Sequence, residues 1–229
     1  MSPRKSEDDA ARRVFLRMAE EKRPYHTEIR GIRIEVWPSV FFLPEECTFF
    51  VEHLPPIVGS RSFIEIGIGT GVVSIAAVRG GGTLIGATDN NPRAVLNARE
   101  NCKAYRINAD IRVSDGLKRL SKDTRADVIF YVHPFLYGNN ELATLLEQSV
   151  SDYRYKGITS IMADARNHLN PGGEFLLETS NLARLNFIKG LARGSGYTWK
   201  LLKKEPVRFA HRPNETGIDL RIYSFKPKE

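Results

Sequence analysis

The sequence predicts an α/β fold: a mostly parallel seven-stranded sheet with helices on both faces, closed by an antiparallel last strand and preceded by a helix and a hairpin. Three observations carry this expectation. Between residues 62 and 193, short runs of Val, Ile, Leu and Phe alternate with segments of helical apolar spacing. Two extended runs with no helix between them, 197–209 and 218–225, end the chain. A glycine-rich turn, Gly67-Ile68-Gly69-Thr70-Gly71, sits at the first strand-to-helix junction of the alternation. Strands separated by helices of about 10–15 residues pair in parallel, because the chain must cross one face of the sheet before it adds the next strand.

Ser6, with Asp9 three residues on in the capping-box position, precedes a helical stripe of Ala11, Val14, Phe15 and Met18. IRGIRIEV (29–36) reads as a hairpin turning at Gly31, and PEECTFFVEHL (44–54) as a short helix. SFIEIG (62–67) is the first strand of the alternation, GVVSIAAV (71–78) its helix and TLIGAT (83–88) the next strand. Asn91 caps the following helix with Pro92 in its first position, where no N–H is needed; Val95, Ala98, Cys102 and Tyr105 form the inner stripe. DIRVS (110–114) and DVIFYV (127–132) are further strands, ITSIMADARNHL (158–169) is a helix and NPGG (170–173) a turn. EFLLET (174–179) is a strand and LARLNFIKGLAR (182–193) a helix. YTWKLLKKEPVRF (197–209) and IDLRIYSF (218–225), joined through AHRPNETG, form the antiparallel pair. With no internal repeat and no low-complexity linker, residues 1–43 read as a helix-and-hairpin extension and 44–229 as one domain.

Composition narrows the function classes. A hydrophobic content of 41% and a charged content of 27% over 229 residues are ordinary for a globular protein. No apolar stretch approaches the roughly 18–20 residues that span a bilayer, and the start, MSPRKSEDDAARR, lacks the apolar centre of a secretory signal. The two cysteines, Cys47 and Cys102, lack metal-ligand spacing, so the expected setting is the reducing cytoplasm, with no metal and no membrane. The net charge of +7 is matched by residues 181–229 alone, which hold 11 Lys/Arg against 4 Asp/Glu. Such a segment either is a solvated face or meets phosphate or an acidic partner.

Glycine in the 67–71 turn lets the backbone bend tightly and approach a ligand closely, while the helix behind it offers unpaired N–H groups. A dinucleotide fingerprint would need Gly or Ala at position 72, where Val72 stands. An acid, Glu65, lies two residues before the first glycine; Asp89 ends the second strand, where a carboxylate can accept both hydroxyls of a ribose; Asp115 follows the third strand in VSDGL. Successive strand ends form the edge at which open α/β sheets bind ligands.

FIEIGIGTGVVSIAAV, ATDNNPRAVLNARENC and VSDGL together resemble the motifs of class I S-adenosylmethionine-dependent methyltransferases over roughly residues 36–225. The resemblance implies a Rossmann-like sheet and S-adenosyl-L-methionine as cofactor. Gly67, Gly69 and Gly71 would line its methionine part, with Glu65 beneath the ammonium, Asp89 and its neighbour Asn90 at the ribose, and Asp115 with Gly116 at the adenine. Within that family FLPEECTFF (42–50) resembles the Pro-x-Glu-Asp-Thr-Phe stretch of the release-factor glutamine N5-methyltransferases. Pro44, Glu46, Thr48 and Phe49 match, Cys47 replaces the acid, and Thr48 would approach the cofactor carboxylate.

Those enzymes end the fourth strand in Asn-Pro-Pro-Tyr or Asn-Pro-Pro-Phe; here the same place reads Val132-His133-Pro134-Phe135. Val132 borders the cofactor but has no acceptor with which to hold a planar amide. His133, with an imidazole pKa near neutrality, is the candidate base. Phe135 and Tyr131 are candidate substrate contacts, Tyr137 another, and Glu178 at the end of the fifth strand a candidate holder of a substrate cation. The expected activity is methyl transfer to a nitrogen or oxygen of a small molecule or peptide side chain. The alternatives are an RNA or ribosome-associated methyltransferase using the basic segment, and a non-catalytic cofactor-binding scaffold.

Overall fold

The computed structural model describes residues 22–138, 144–208 and 218–228. The expected helix after Ser6 and the loop AHRPNETG lie outside the described residues.

Strands β1 (Tyr25–Ile29) and β2 (Ile32–Val36) form the predicted hairpin, whose turn residues Arg30 and Gly31 have φ of 48° and 74°. Two positive φ values give a turn that follows the twist of its strands. Helix α1 (Pro44–Val58) outruns its expected end at Leu54 and contains Pro55 and Pro56. Burial of Leu54 and Val58 in the core holds the last turn despite the lost N–H donors. The alternation follows as β3 (Ser62–Ile66), α2 (Val72–Arg79), β4 (Thr83–Asp89), α3 (Pro92–Ala104), β5 (Asp110–Val113) and β6 (Ala126–Val132). The Asn91 side chain accepts from the Arg93 N–H at 3.0 Å, as its capping position requires.

Next comes a unit that the sequence reading does not contain: β7 (Leu136–Gly138), the single-turn α4 (Leu145–Gln148) and β8 (Ser151–Tyr153), with β7 and β8 paired in parallel. Strands of three residues carry too little periodicity to be read from sequence. The chain continues through α5 (Lys156–Ala165), a 3-10 turn at Arg166–His168, β9 (Leu169–Ser180), α6 (Leu185–Gly194), β10 (Tyr197–Val207) and β11 (Ile218–Pro227). Two expectations shift here. The turn NPGG lies within β9 as a bulge: partners jump from Ala126↔Leu169 to Val128↔Glu174, and Gly172 takes φ of 77°. Helix α6 starts at Leu185 instead of Leu182, because Ser180 accepts the N–H groups of Leu182 (at Oγ) and Ala183 (at the carbonyl) in a turn.

The main sheet has the order β10-β11-β9-β6-β3-β4-β5. Strands β3, β4, β5, β6 and β9 are parallel, and β11 enters antiparallel between β9 and β10. The alternation along β6 separates two cores: Val128 and Phe130 face the hairpin, α1, α2 and α3, while Ile129 and Tyr131 face α5 and α6. No described helix is long and apolar enough to cross a membrane.

Candidate functional site

A crevice of about 590 Å³ opens at the carboxyl ends of the parallel strands and runs from the glycine turn to the Val132–Phe135 edge, with the approach to α1 over it. One end is built by backbone. Gly67 and Gly69 have φ of 75° and 55°, a region that side chains rarely adopt, and a Cβ on Gly69 would lie 3.5 Å from the Phe41 carbonyl. The Asp89 carboxylate accepts the Gly69 N–H and the Asn91 N–H, each at 2.9 Å, which ties the turn to the end of β4. Burial raises the Asp89 pKa, and these two bonds oppose the rise. Asn90 lines the crevice and donates to Gln148 of α4 at 3.0 Å. Gly71 does not line it: at φ of 82° it caps α2, and a Cβ there would meet Ala98 and Cys102 of α3 at 3.4 Å.

Glu65 faces the crevice from β3, buried and bonded to the Ser74 hydroxyl; burial pushes its pKa up to about 8. Asp115 and Gly116 border the crevice beyond β5, with the Asp115 side chain exposed and paired with Lys118. From α1, Glu46 and Cys47 line the crevice, whereas Thr48 does not: its hydroxyl donates to the Pro44 carbonyl at 2.8 Å. Burial, with Glu45 adding to it, raises the Glu46 pKa to about 7.

Val132, His133, Pro134 and Phe135 form the other end, with Tyr131 behind them. The His133 side chain is 0% exposed, and its Nε2 stands 3.6 Å from Asp152 Oδ2. Neither ring nitrogen has a hydrogen-bond partner among the described residues. Burial lowers the His133 pKa, with Asp152 pulling the other way, so the imidazole is held neutral. Its ring lies edge-on to Tyr155 and Tyr131, at centroid distances of 4.9 and 5.8 Å. The Tyr155 hydroxyl donates to the Phe135 carbonyl at 2.7 Å and accepts the Arg184 N–H at 3.0 Å, fixing the wall to the start of α6. Tyr137 stacks instead under Arg184, 3.5 Å from its guanidinium carbon. Glu178 is fully buried behind the crevice and does not line it.

Sequence reasoning therefore missed Asp152 and Tyr155, which lie in the segment it left without elements, and it named Glu46 only as part of a motif. The first two offered no local signal. The donor set suits a ligand with an ammonium group, a vicinal diol and a flat ring. Among the described residues Glu65 is a buried acid with no cation paired to it, Asp89 keeps a lone pair on each oxygen beyond its backbone bonds, and the turn at Gly116 borders the crevice.

The family model of the methyltransferase small domain matches residues 45–186, more than half of the 229-residue chain. A Methanocaldococcus jannaschii protein described as a protein N5-glutamine methyltransferase is 34% identical over 109 residues, 48% of this chain and 54% of that one. The chain thus spans about half the length of the curated relative it matches. Among solved structures, a Pyrococcus furiosus methyltransferase superposes with a TM-score of 0.63 at 20% identity, over 97% of this chain and 100% of that one. A T. thermophilus 16S rRNA methyltransferase in complex with AdoMet and guanosine gives a TM-score of 0.62 at 18% identity, over 89% of this chain and 50% of that one. At these identities the two structures share the fold.

Proposed function

Because the chain belongs to the methyltransferase small domain family, we propose that it is an S-adenosylmethionine-dependent methyltransferase that methylates a nitrogen or oxygen of a peptide side chain or small molecule held at the Val132–Phe135 edge. The observation that carries this reading is a single crevice joining the glycine turn to that edge. When bound, S-adenosylmethionine supplies a methyl carbon on a sulfonium leaving group, so the protein's tasks are to position the acceptor and accept its proton.

Glu65 meets the cofactor ammonium, and a cation there lowers its raised pKa and keeps it ionised. Asp89 holds the ribose hydroxyls, with Asn90 beside it, and Asp115 and Gly116 border the adenine. Gly67 and Gly69 leave room for the methionine part, and Gly71 acts one step back by setting the approach of α2 to α3. Glu46 and Cys47 take the lining position on α1 that Thr48 does not occupy.

Val132 gives the acceptor an apolar neighbour and no amide grip. Pro134 and Phe135 supply the wall against which the acceptor is oriented, and Tyr131 stands behind it. His133, enclosed between Tyr131 and Tyr155, is assigned to holding that wall in place. In the basic segment, Lys203 pairs with Glu205 at 2.5 Å and Lys204 with Asp219 at 2.9 Å, both on the sheet edge away from the glycine turn.

Titration with S-adenosylhomocysteine tests the cofactor assignment. The wild-type chain binds it and is protected against heat. In Asp89→Ala the diol acceptor and the anchor of Gly69 are both lost; affinity falls at least about tenfold while the unfolding midpoint moves by no more than about 5 °C. Unchanged affinity in the variant would remove Asp89 from the site.

A further inference from the structure

The crevice carries one charge that the cofactor does not explain. Its walls present the carboxyl groups of Glu46, Glu65, Asp89, Asp115 and Asp152, and among the described residues Lys156 is the only Lys or Arg that lines it. The sulfonium and ammonium of S-adenosylmethionine suit those acids, whereas a protein ammonium in the same crevice repels both. The cofactor's own carboxylate belongs with its methionine part at Gly67 and Gly69, and Lys156 stands at the other end. It follows Tyr155, whose ring lies 4.9 Å from that of His133, and precedes Gly157, whose N–H donates to Asp152 at 3.0 Å. Only further along α5 does Ile161 come against Gly116. The Lys156 ammonium lies 4.7 Å from the centroid of Tyr153, which also lines the crevice, and the Arg154 guanidinium carbon lies 5.5 Å from the same centroid. Neither cation has an ion pair among the described residues. Two features work against placing a cation here. Arg154 and Tyr155 both take left-handed backbone, with φ of 51° and 55°. Lys156 is also the first residue of α5, where the helix dipole disfavours positive charge and favours an anion.

We propose that Lys156, held on the Tyr153 ring, is a specificity-determining residue that binds a carboxylate of the acceptor molecule. The preferred substrate then carries a negative charge beside the nitrogen or oxygen that it offers. This rests on the methyltransferase reading and names a feature of its substrate. Contact with the ring fixes the long lysine side chain in advance, so less freedom is lost when the anion arrives. One ammonium among these acids balances a single charge. A phosphate, at about −1.5 to −2, would leave part of its charge facing the acids of the crevice. Arg154, exposed on the same ring, adds to the attraction from the solvent side. Lys156 takes no part in methyl transfer; it orients the acceptor against the Pro134 and Phe135 wall.

The test is calorimetric titration of the full chain saturated with S-adenosylhomocysteine, using two pairs of probes matched except in charge. The peptide pair is acetyl-glutaminyl-glutamate methylamide and acetyl-glutaminyl-glutamine methylamide; the small-molecule pair is 4-acetamidobutyrate and 4-acetamidobutyramide. In the wild type a carboxylate probe binds at least about fivefold more tightly than its neutral counterpart. The pair with the larger preference tells whether the carboxylate belongs to a peptide or a small molecule. Lys156→Gln brings that preference to within about twofold of unity and leaves S-adenosylhomocysteine affinity within about twofold, while Lys156→Arg, which keeps the charge, retains it. No carboxylate preference in the wild type, or one that Lys156→Gln leaves intact, overturns the inference. So does a larger fall of S-adenosylhomocysteine affinity in Lys156→Gln, which would place the ammonium at the cofactor. Decauridylate binding tighter than either carboxylate probe would overturn it in favour of RNA. Absence of S-adenosylhomocysteine binding in the wild type overturns the cofactor assignment instead.

Discussion

His133 occupies a position where two roles make different demands on one ring. A proton acceptor must present a nitrogen to the acceptor; a wall residue must fill the space between Tyr131 and Tyr155. The side chain has no exposed surface, and burial keeps it neutral. His133→Phe preserves the aromatic packing and removes both nitrogens, so it keeps kcat within about fivefold of wild type. His133→Ala leaves a cavity between Tyr131 and Tyr155 and costs about 2–4 kcal/mol of stability by urea denaturation. A loss of kcat beyond about 100-fold in His133→Phe, with KM unchanged, would return the imidazole to the role of base.

At the scale of elements, the β7–α4–β8 unit lines the crevice near the Val132–Phe135 edge, and Asp152 ties it to the rest of the fold. The Asp152 carboxylate accepts the N–H groups of Gly157 and Ile158 at 3.0 and 2.9 Å, satisfying the first turn of α5. The preceding Tyr155 has φ of 55°, so the helix is entered from a left-handed residue whose own ring closes the wall. Asp152→Ala removes these acceptors and costs about 1–2 kcal/mol in denaturant unfolding. Asp152→Asn, which keeps one acceptor oxygen, recovers part of that loss. Equal stability of Asp152→Ala and wild type would show that the first turn of α5 does not depend on this carboxylate.

The whole molecule carries more buried acid than its core can neutralise, and this sets its pH dependence. Burial pushes the Glu46 and Glu65 pKa values up to about 7 and about 8, and raises that of Glu178 well above the ordinary carboxyl range. Unfolded carboxyls ionise near 4.3, so between pH 6.5 and 8 the folded state holds more protons than the unfolded one. Raising the pH through that window favours unfolding. His133 acts oppositely, but only below the unfolded histidine pKa of about 6.5. Asp127 and Glu174, whose pKa values are lowered, act at lower pH again. The ligand-free chain is therefore expected to lose on the order of 2 kcal/mol between pH 6.5 and 8 in chemical denaturation. A stability that rises across that window would mean that these acids are ionised in the fold.

The sequence by itself determined the order of strands and helices from residue 62 to 132 and again from 158 to 193, the glycine turn and the position of Asp89 at a strand end. Each rests on local physics: apolar periodicity, backbone freedom at Gly67 and Gly69, and the capping chemistry of Asn91. It also showed that Val132 cannot grip an amide, since that is a property of the side chain alone. Only the tertiary structure decided what each acid does. Glu65 and Glu178 look alike as strand-end glutamates, yet one faces the crevice with a serine partner and the other is sealed behind it without one. Thr48 and Glu46 share a motif, yet the helix turns one toward Pro44 and the other into the crevice. Burial, partners and facing are set by residues distant in sequence. No local pattern could therefore have placed Asp152 beside His133 or the Tyr155 hydroxyl on the Phe135 carbonyl.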